Sequence, residues 1–324
     1  MQHFLLSQKA RMLPMVRVAR MTEEEAYGLF CEIRWQETGG DPVCPRCGHE
    51  KAYSITTRRK FKCKRCHHQF SVTRRTIFAS RKLAFRDILV AIAIFVNGAK
   101  GVPALRLSRE LGVQYKTAFV LAHKIREAMA DHQSEIDELS GEVEVDGAYF
   151  GGHVRPKNRK LDRKDRRTRA NQSAKRCAVA VGRERNGRTF VSVQKREADA
   201  VKTLIDRIRP ETIVFADEAS CWDDFHVYFD TRRINHSESY SEDGASTNWA
   251  ESFFSRLRRS EIGIHHHISG KYLGAYAGEM AWREDQRRSG NRSQTLGALG
   301  LGLGHGVSRR WKGYWQRKCQ PLGA

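Results

Sequence analysis

Two sets of residues in this chain have the types and spacing to do chemistry. The first is Cys44, Cys47, Cys63 and Cys66, in the pattern C-x2-C-x15-C-x2-C. Each CxxC offers two thiolates from one tight turn, and two such turns brought together make a tetrahedral site for Zn(2+). Pro45 and Gly48 suit the turn geometry, and "KAYSI" and "KFKC" suit short strands between the two knuckles. Four protein ligands leave no open position, so the zinc is expected to be structural. A redox dithiol or unrelated core cysteines would use the same residue type, but neither explains two matched pairs at ribbon spacing.

The second set is acidic. "GEVEVDGAYFGG", residues 141–152, alternates apolar and acidic residues up to Asp146, which puts Glu142, Glu144 and Asp146 on one face of a strand. Carboxylates aligned in this way repel unless solvent, an arginine or a metal ion faces them. Asp217 closes a second strand-like run, "TIVFADE", in which Ile213, Val214 and Phe215 read as buried. In "TNWAESFFSRLRRSEIG", Trp249, Phe253 and Leu257 recur as a helical core stripe, while Asn248, Glu251, Ser255 and Arg258 share another face. Two strand-end aspartates and a helix-borne acid are what two-metal phosphoryl transfer requires. Each has a plainer use. Asp146 could be an exposed strand residue, Asp217 and Glu218 could start a helix, and Asn248 with Glu251 fits a capping box. Glu142 and Glu144 compete with Asp146 for the role.

The elements that must position these residues follow from pattern and punctuation. "MTEEEAYGLFCEIRW" predicts a helix capped by Thr22, with Glu23 to Glu25 in its first turn and Leu29, Phe30, Ile33 and Trp35 on its apolar side. Residues 83–132 are helical in pattern, with a break at "NGAKGVP". Within them, residues 102–129 have helix-turn-helix spacing: Leu105, Leu107 and Leu111 pack the first helix, Gly112 turns, and Tyr115, Phe119 and Ile125 hold the second. Gln114, Lys116 and Thr117 would face outward at the end that meets DNA. An ordinary helical hairpin shares the short glycine turn. After residue 141 strand-like runs ("EVEVDGAYF", "RCAVAVGRE", "RTFVSVQKR", "TIVFADE") mix with helical ones ("ADAVKTLIDRI", "NWAESFFSRLRR"). The glycine-rich tail from Ser289 is expected to be poorly ordered.

Composition narrows the partner. The 324 residues carry 58 Lys+Arg against 37 Asp+Glu, a formal charge of +21, which points to a polyanion. Residues 155–176 alone hold eleven Lys/Arg against two Asp, a run that grips phosphates with a steep salt dependence. The longest apolar run, "ILVAIAIFV" at 88–96, is too short for a bilayer and reads as a buried helix. No signal-peptide pattern is present, and eight cysteines in so long a chain do not make a disulfide scaffold. A cytoplasmic protein with no membrane partner is expected.

With those residues in view, the chain resembles bacterial insertion-sequence transposases of the ISXO type, which join a zinc ribbon to a DDE catalytic domain. The resemblance runs from about Phe4 to Asp285, through "CPRCG", "CKRCHHQFSVTRRTIFASRKL", "VEVDGAYFGG" and "TNWAESFFSRLRRSEIGIHHHISGKYLGAYAGEMAWRED". It implies a multidomain chain: an N-terminal helical segment (1–40), a small β zinc ribbon (41–80), an α-helical helix-turn-helix region (81–135), an α/β mixed-sheet RNase H-like catalytic domain (141–288) and the basic tail (289–324). It implies Asp146 and Asp217 as ligands of catalytic Mg(2+) or Mn(2+), with Asn248, Glu251 or both at the third position and Arg258 near the DNA backbone. The acidic face of the first strand would then be neutralised by the metal. Many relatives carry an acid directly after the first aspartate; here Gly147 follows Asp146, and "GIHHHIS" has three histidines. The expected function is cutting of double-stranded DNA at the element's terminal repeats and joining of the freed 3′-hydroxyl to target DNA, by a homodimer or larger assembly. Alternatives are a DNA-binding regulator that has lost catalysis, an RNase H-like nuclease without strand transfer, and a zinc-stabilised RNA-binding protein.

Overall fold

The computed structural model describes residues 4–135, 138–152, 157–165, 171, 173–185, 187–234 and 246–314. They divide into two compact units, 1–129 with 286–324, and 130–285. Among the described residues no helix is long and apolar enough to cross a membrane.

The first unit opens with α1 (Met15–Arg20) and α2 (Glu23–Arg34). Thr22 caps α2 as its sequence predicts: its hydroxyl accepts from Glu25 N at 3.1 Å, and Glu25 Oε2 accepts from Thr22 N at 2.7 Å. The ribbon follows, as antiparallel β1 (Ala52–Ile55), β2 (Lys60–Cys63) and β3 (Gln69–Phe70). Trp35, just past α2, sets its ring edge against Phe61 at 5.4 Å and Phe70 at 6.3 Å, so the helix and ribbon share one small core. The apolar run at 88–96 lies in α3 (Phe85–Asn97), and its side chains from Ile88 to Val96 are nearly all buried.

A short α4 (Ala104–Leu111) ends at Gly112, whose φ of 62° is left-handed and favours a residue without a Cβ. Then α5 (Tyr115–Glu135) begins. Leu107 and Ile125 are buried as expected, but Leu105 and Tyr115 are half exposed and do not pack the hairpin. Tyr115 instead rests on Phe119 at 5.8 Å, and Phe119 stands edge-on to Trp311 at 5.6 Å.

The second unit is built on a mixed sheet: β4 (Glu142–Phe150), β5 (Cys177–Glu184), β6 (Thr189–Gln194), β7 (Ile213–Asp217) and β8 (Asp230–Ile234), in the order β6-β5-β4-β7-β8. β4, β5 and β6 pair antiparallel, while β4–β7 and β7–β8 pair parallel. Helices α6 (Val201–Ile205), α7 (Phe225–Tyr228), α8 (Asn248–Ser260) and α9 (Gly270–Asp285) complete it. Val143 and Val145 face one core, with Val214, Leu204, Trp222 and Phe225. Ala148 and Phe150, of opposite parity, face another with Phe253, Phe254 and Leu257 of α8. The period of two along β4 therefore turns Glu144 and Asp146 toward α8. Truncating Phe253 to Ala there would cost about 3–5 kcal/mol.

One strand has no signal in the sequence, and two elements differ from their expectations. β8, "DTRRI", is a strand without apolar alternation; it buries Ile234 alone and is held as an edge by parallel pairing to β7. The run "ADAVKTLIDRI" yields only the five α-helical residues of α6, preceded by a 3-10 turn over Glu197–Ala200. The glycine-rich tail, expected to be disordered, contains α10 (Asn291–Gly304), with Thr295, Ala298, Leu299 and Leu303 buried. Glycine serves close packing there: a Cβ on Gly302 would lie 2.6 Å from the Phe78 ring. Much of the basic run 155–176, including 166–170, lies outside the described residues.

Candidate active site and metal centre

The cysteine centre is built by two knuckles of the same design. Gly48 N donates to Cys44 O at 2.9 Å, and His67 N donates to Cys63 O at 3.1 Å. Gly48 and His67 both have positive φ, 68° and 55°, so the second knuckle accepts a left-handed residue that is not glycine. Sγ–Sγ separations are 3.6 Å (Cys44–Cys66), 3.6 Å (Cys47–Cys63) and 3.4 Å (Cys47–Cys66). A tetrahedron with zinc–sulfur bonds of about 2.3 Å has edges of about 3.8 Å, so the four thiols fit zinc with little contraction or spread. Burial works against ionisation of Cys63, but the N–H groups of Cys66 and Arg65 outweigh it and bring the thiol down to about 7. A thiolate is the form that binds metal.

The carboxylate site is assembled from remote pieces. Val145 pairs with Ala216 in the parallel β4–β7 ladder, so Asp146 and Asp217 come next on adjacent strands. Asp146 Oδ1 accepts from Gly147 N at 2.7 Å, and Asp217 Oδ1 accepts from Ala219 N at 3.1 Å. Arg233 of β8 steadies the turn after Asp217, donating to Asp217 O at 2.7 Å and Ala219 O at 2.9 Å. Burial pushes Asp146 up to about 7, and the carboxylates of Asp217, Glu251 and Glu197 push the same way against the single Gly147 N–H. Those acids therefore lie near enough to Asp146 to act on its charge.

They do not form a closed cage. Among the described residues, the four cysteines are the one group of three or more His, Cys, Asp or Glu whose ligand atoms all lie within 4.8 Å of one another. The donor set is oxygen only, which suits a hard ion such as Mg(2+) or Mn(2+) rather than zinc.

Glu197 is the member that sequence reading missed. It lies in the 3-10 turn after β6, between the strand-like run that ends at Arg196 and the helical run that starts at Ala198, and no spacing ties it to Asp146. Burial, then the Asp217 carboxylate, raise its pKa, with Arg176 opposing. The signal was Gly147: a Cβ there would lie 2.7 Å from Glu197 Cγ and 2.9 Å from Cδ. The position after Asp146 carries no side chain and leaves room for an acid from another element.

The remaining acids of β4 have a different partner from the expected metal. Arg185, just past β5, donates to Glu142 Oε2 at 2.9 Å and to Glu144 Oε1 at 3.0 Å, so an arginine neutralises both. The capping box at Asn248 and Glu251 does not form; Asn248 is the exposed first residue of α8, and the helix takes its cap from Glu144. Glu251 and Arg258 lie exposed further along α8, the Arg258 guanidinium 5.9 Å from the Phe150 ring centre. In the first unit, Gln114, Lys116 and Thr117 are all exposed at the α4–α5 turn.

The family described as ISXO2-like transposase domain matches residues 138–285, and that described as transposase zinc-ribbon domain matches residues 21–69. The chain belongs to the ISXO2-like transposases. The catalytic-domain match covers every element that supplies a carboxylate to the site, and the ribbon match covers α2 as well as all four cysteines. No curated protein and no solved structure matches this transposase.

Proposed function

We propose that this transposase binds the terminal repeats of its insertion sequence, cleaves a phosphodiester there in a metal-dependent step and joins the freed 3′-hydroxyl to target DNA. The observation that carries this reading is the set of carboxylates around Asp146: Asp217 on the adjacent parallel strand, Glu251 on α8 and Glu197, with Asp146 held up at about 7 by burial and by those neighbours. A site that stores such repulsion gains from a cation. Asp146, Asp217 and Glu251 would hold it, with Asn248 three residues before Glu251 at the start of the same helix. A divalent ion bound there assists deprotonation of a water or 3′-hydroxyl nucleophile and stabilises the leaving oxygen. Gly147 N and Ala219 N orient the two aspartates, and the RNase H-like arrangement of β4 and β7 keeps them side by side. Arg258 would lie along the DNA backbone. In the first unit, the helix-turn-helix formed by α4 and α5 would present Gln114, Lys116 and Thr117 to the repeat.

The test uses a labelled duplex carrying the terminal repeat, with Mn(2+) or Mg(2+). Asp146→Ala and Asp217→Ala should lose cleavage by at least about 10³-fold, on the scale of removing a catalytic charge-stabilising group, while end binding stays near wild type. Cleavage by Asp146→Ala at the wild-type rate sinks the assignment. Joining of a pre-cut end to a plasmid separates a transposase from a nuclease that only hydrolyses, and metal-dependent nicking separates both from an inactive regulator.

A further inference from the structure

We infer that Glu144 is a positioning residue for the carboxylate site: its buried side chain fixes the first turn of α8, which leads to Glu251, onto the strand that carries Asp146. The inference rests on the proposed reading of that site, but the anchoring itself is measurable apart from cleavage.

Glu144 is fully buried and points toward α8 from the same face of β4 as Asp146, two residues away. Its Oε2 accepts from Trp249 N at 2.6 Å and Ala250 N at 3.1 Å. Its Oε1 accepts from Arg185 Nε at 3.0 Å and from Ser246 Oγ at 3.4 Å. The first turn of any helix leaves N–H groups without partners inside the helix, and its partial positive charge favours a carboxylate. A helix ordinarily meets that need with its own N-cap side chain. Here Thr247 makes no side-chain cap, and the acceptor comes from a strand about a hundred residues earlier.

That difference is why the contact positions and does more than stabilise. A local cap travels with its helix and leaves the helix free to slide over the sheet. A cap planted on β4 ties Ala250, the residue before Glu251, to a point two residues from Asp146. β5 reinforces the joint. Arg183 Nη1 donates to Trp249 O at 2.9 Å. Arg185 also donates to Ser246 O at 3.3 Å and stacks over the Phe215 ring at 3.9 Å. The buried carboxylate is thus paired and its acceptor sites are filled, the condition under which burying a charge is tolerated. Reacting groups must be held within about 0.5 Å of productive geometry, so a slack joint here moves one ligand relative to another.

The experiment uses the full-length protein with Glu144→Gln, which keeps shape and one acceptor oxygen but loses the charge. Three quantities are read: hydrogen exchange at the Trp249 and Ala250 amides, Mn(2+) affinity by calorimetry, and the kcat and KM of cleavage. Faster exchange at those amides, Mn(2+) binding weakened about 10-fold and kcat lowered about 10–100-fold at unchanged KM are expected, the range typical of residues that orient metal ligands. Glu142→Gln, which touches the same Arg185 from an exposed position, should stay at wild type in all three. If Glu144→Gln does not fold, Arg185→Lys takes its place and should give the same pattern at about a third of the size or more, since lysine loses the planar fork. Unchanged exchange at Trp249 and Ala250, or faster exchange with wild-type metal affinity and kcat, overturns the inference. A wild-type protein that neither binds Mn(2+) nor cuts sinks the transposase reading instead, and the exchange rates still decide whether Glu144 holds the helix.

Discussion

The four cysteines of the zinc ribbon and the carboxylates around Asp146 both gather like-charged groups, in opposite ways. The ribbon takes its four thiols from two turns only fifteen intervening residues apart, and they already sit within 4.8 Å of one another. The carboxylate site takes acids from β4, β7, α8 and the turn after β6, and leaves them in mutual repulsion. The ribbon uses its metal to fold. The second unit carries buried apolar clusters on both faces of its sheet. The cysteine group is closed and local; the carboxylate group is open and supported from remote parts of the chain.

The comparison breaks most visibly at the ribbon. Cys63→Ser, or stripping by a strong chelator, should unfold β1 to β3 and reduce zinc content from about one per chain to none, because structural zinc contributes on the order of 10 kcal/mol of folding free energy. Near-ultraviolet circular dichroism of the aromatic contacts around Trp35 would follow the loss. Asp146→Asn is next and should act in the opposite direction on stability. Asp146 rises from 3.8 to about 7 on folding, so the folded unit holds that proton more tightly than the unfolded chain. Without a cation, its stability should then fall as pH rises from about 4 through about 7. Asn removes that slope, leaving the parts from Glu197, which burial and Asp217 raise, and from Asp285, which burial raises to about 7. Melting temperatures between pH 4 and pH 8 measure it, and a slope unchanged by Asp146→Asn contradicts the shift. Added Mn(2+) should stabilise the wild type increasingly over the same interval, since it binds the ionised acids.

Smaller effects sharpen the contrast. Gly147→Ala puts a methyl where Glu197 now lies, displacing that acid and costing about 1–3 kcal/mol as an overpacked site. The cost should show in the melt of the second unit while zinc content stays constant. Lys116→Ala, at the exposed α4–α5 turn, should weaken DNA binding across sequences and reduce the salt slope by about one, with no change in either metal site.

Legibility followed the range of the interaction. Cys44, Cys47, Cys63 and Cys66 were readable because only two residues separate the cysteines of each pair. Thr22 with Glu25, the buried run in α3 and the alternation in β4 were readable for the same reason: cap, helix and strand periods are local. Asp217 was readable as a strand end; Asp146, expected to close its strand, lies in the middle of β4, and a family resemblance joined the two. Glu197 was not, because nothing in "READAV" separates a functional acid from a solvated one. Glu142 and Glu144 looked equivalent to Asp146, since alternation gives a face but not what lies across it. The glycines of α10 looked like disorder, because a missing side chain reads the same whether it frees a chain or admits a neighbouring ring.

By itself, then, the sequence determined the knuckles, the caps, the strand faces and the excess of positive charge, each set by residues within a few positions of one another. The tertiary structure alone decided that Arg185 neutralises Glu142 and Glu144, that Glu144 caps a helix far along the chain and that Glu197 fills the space beside Gly147. The reason is that electrostatics and packing depend on distance through space. Folding brings to within 3 Å groups whose separation along the chain carries no trace of the contact.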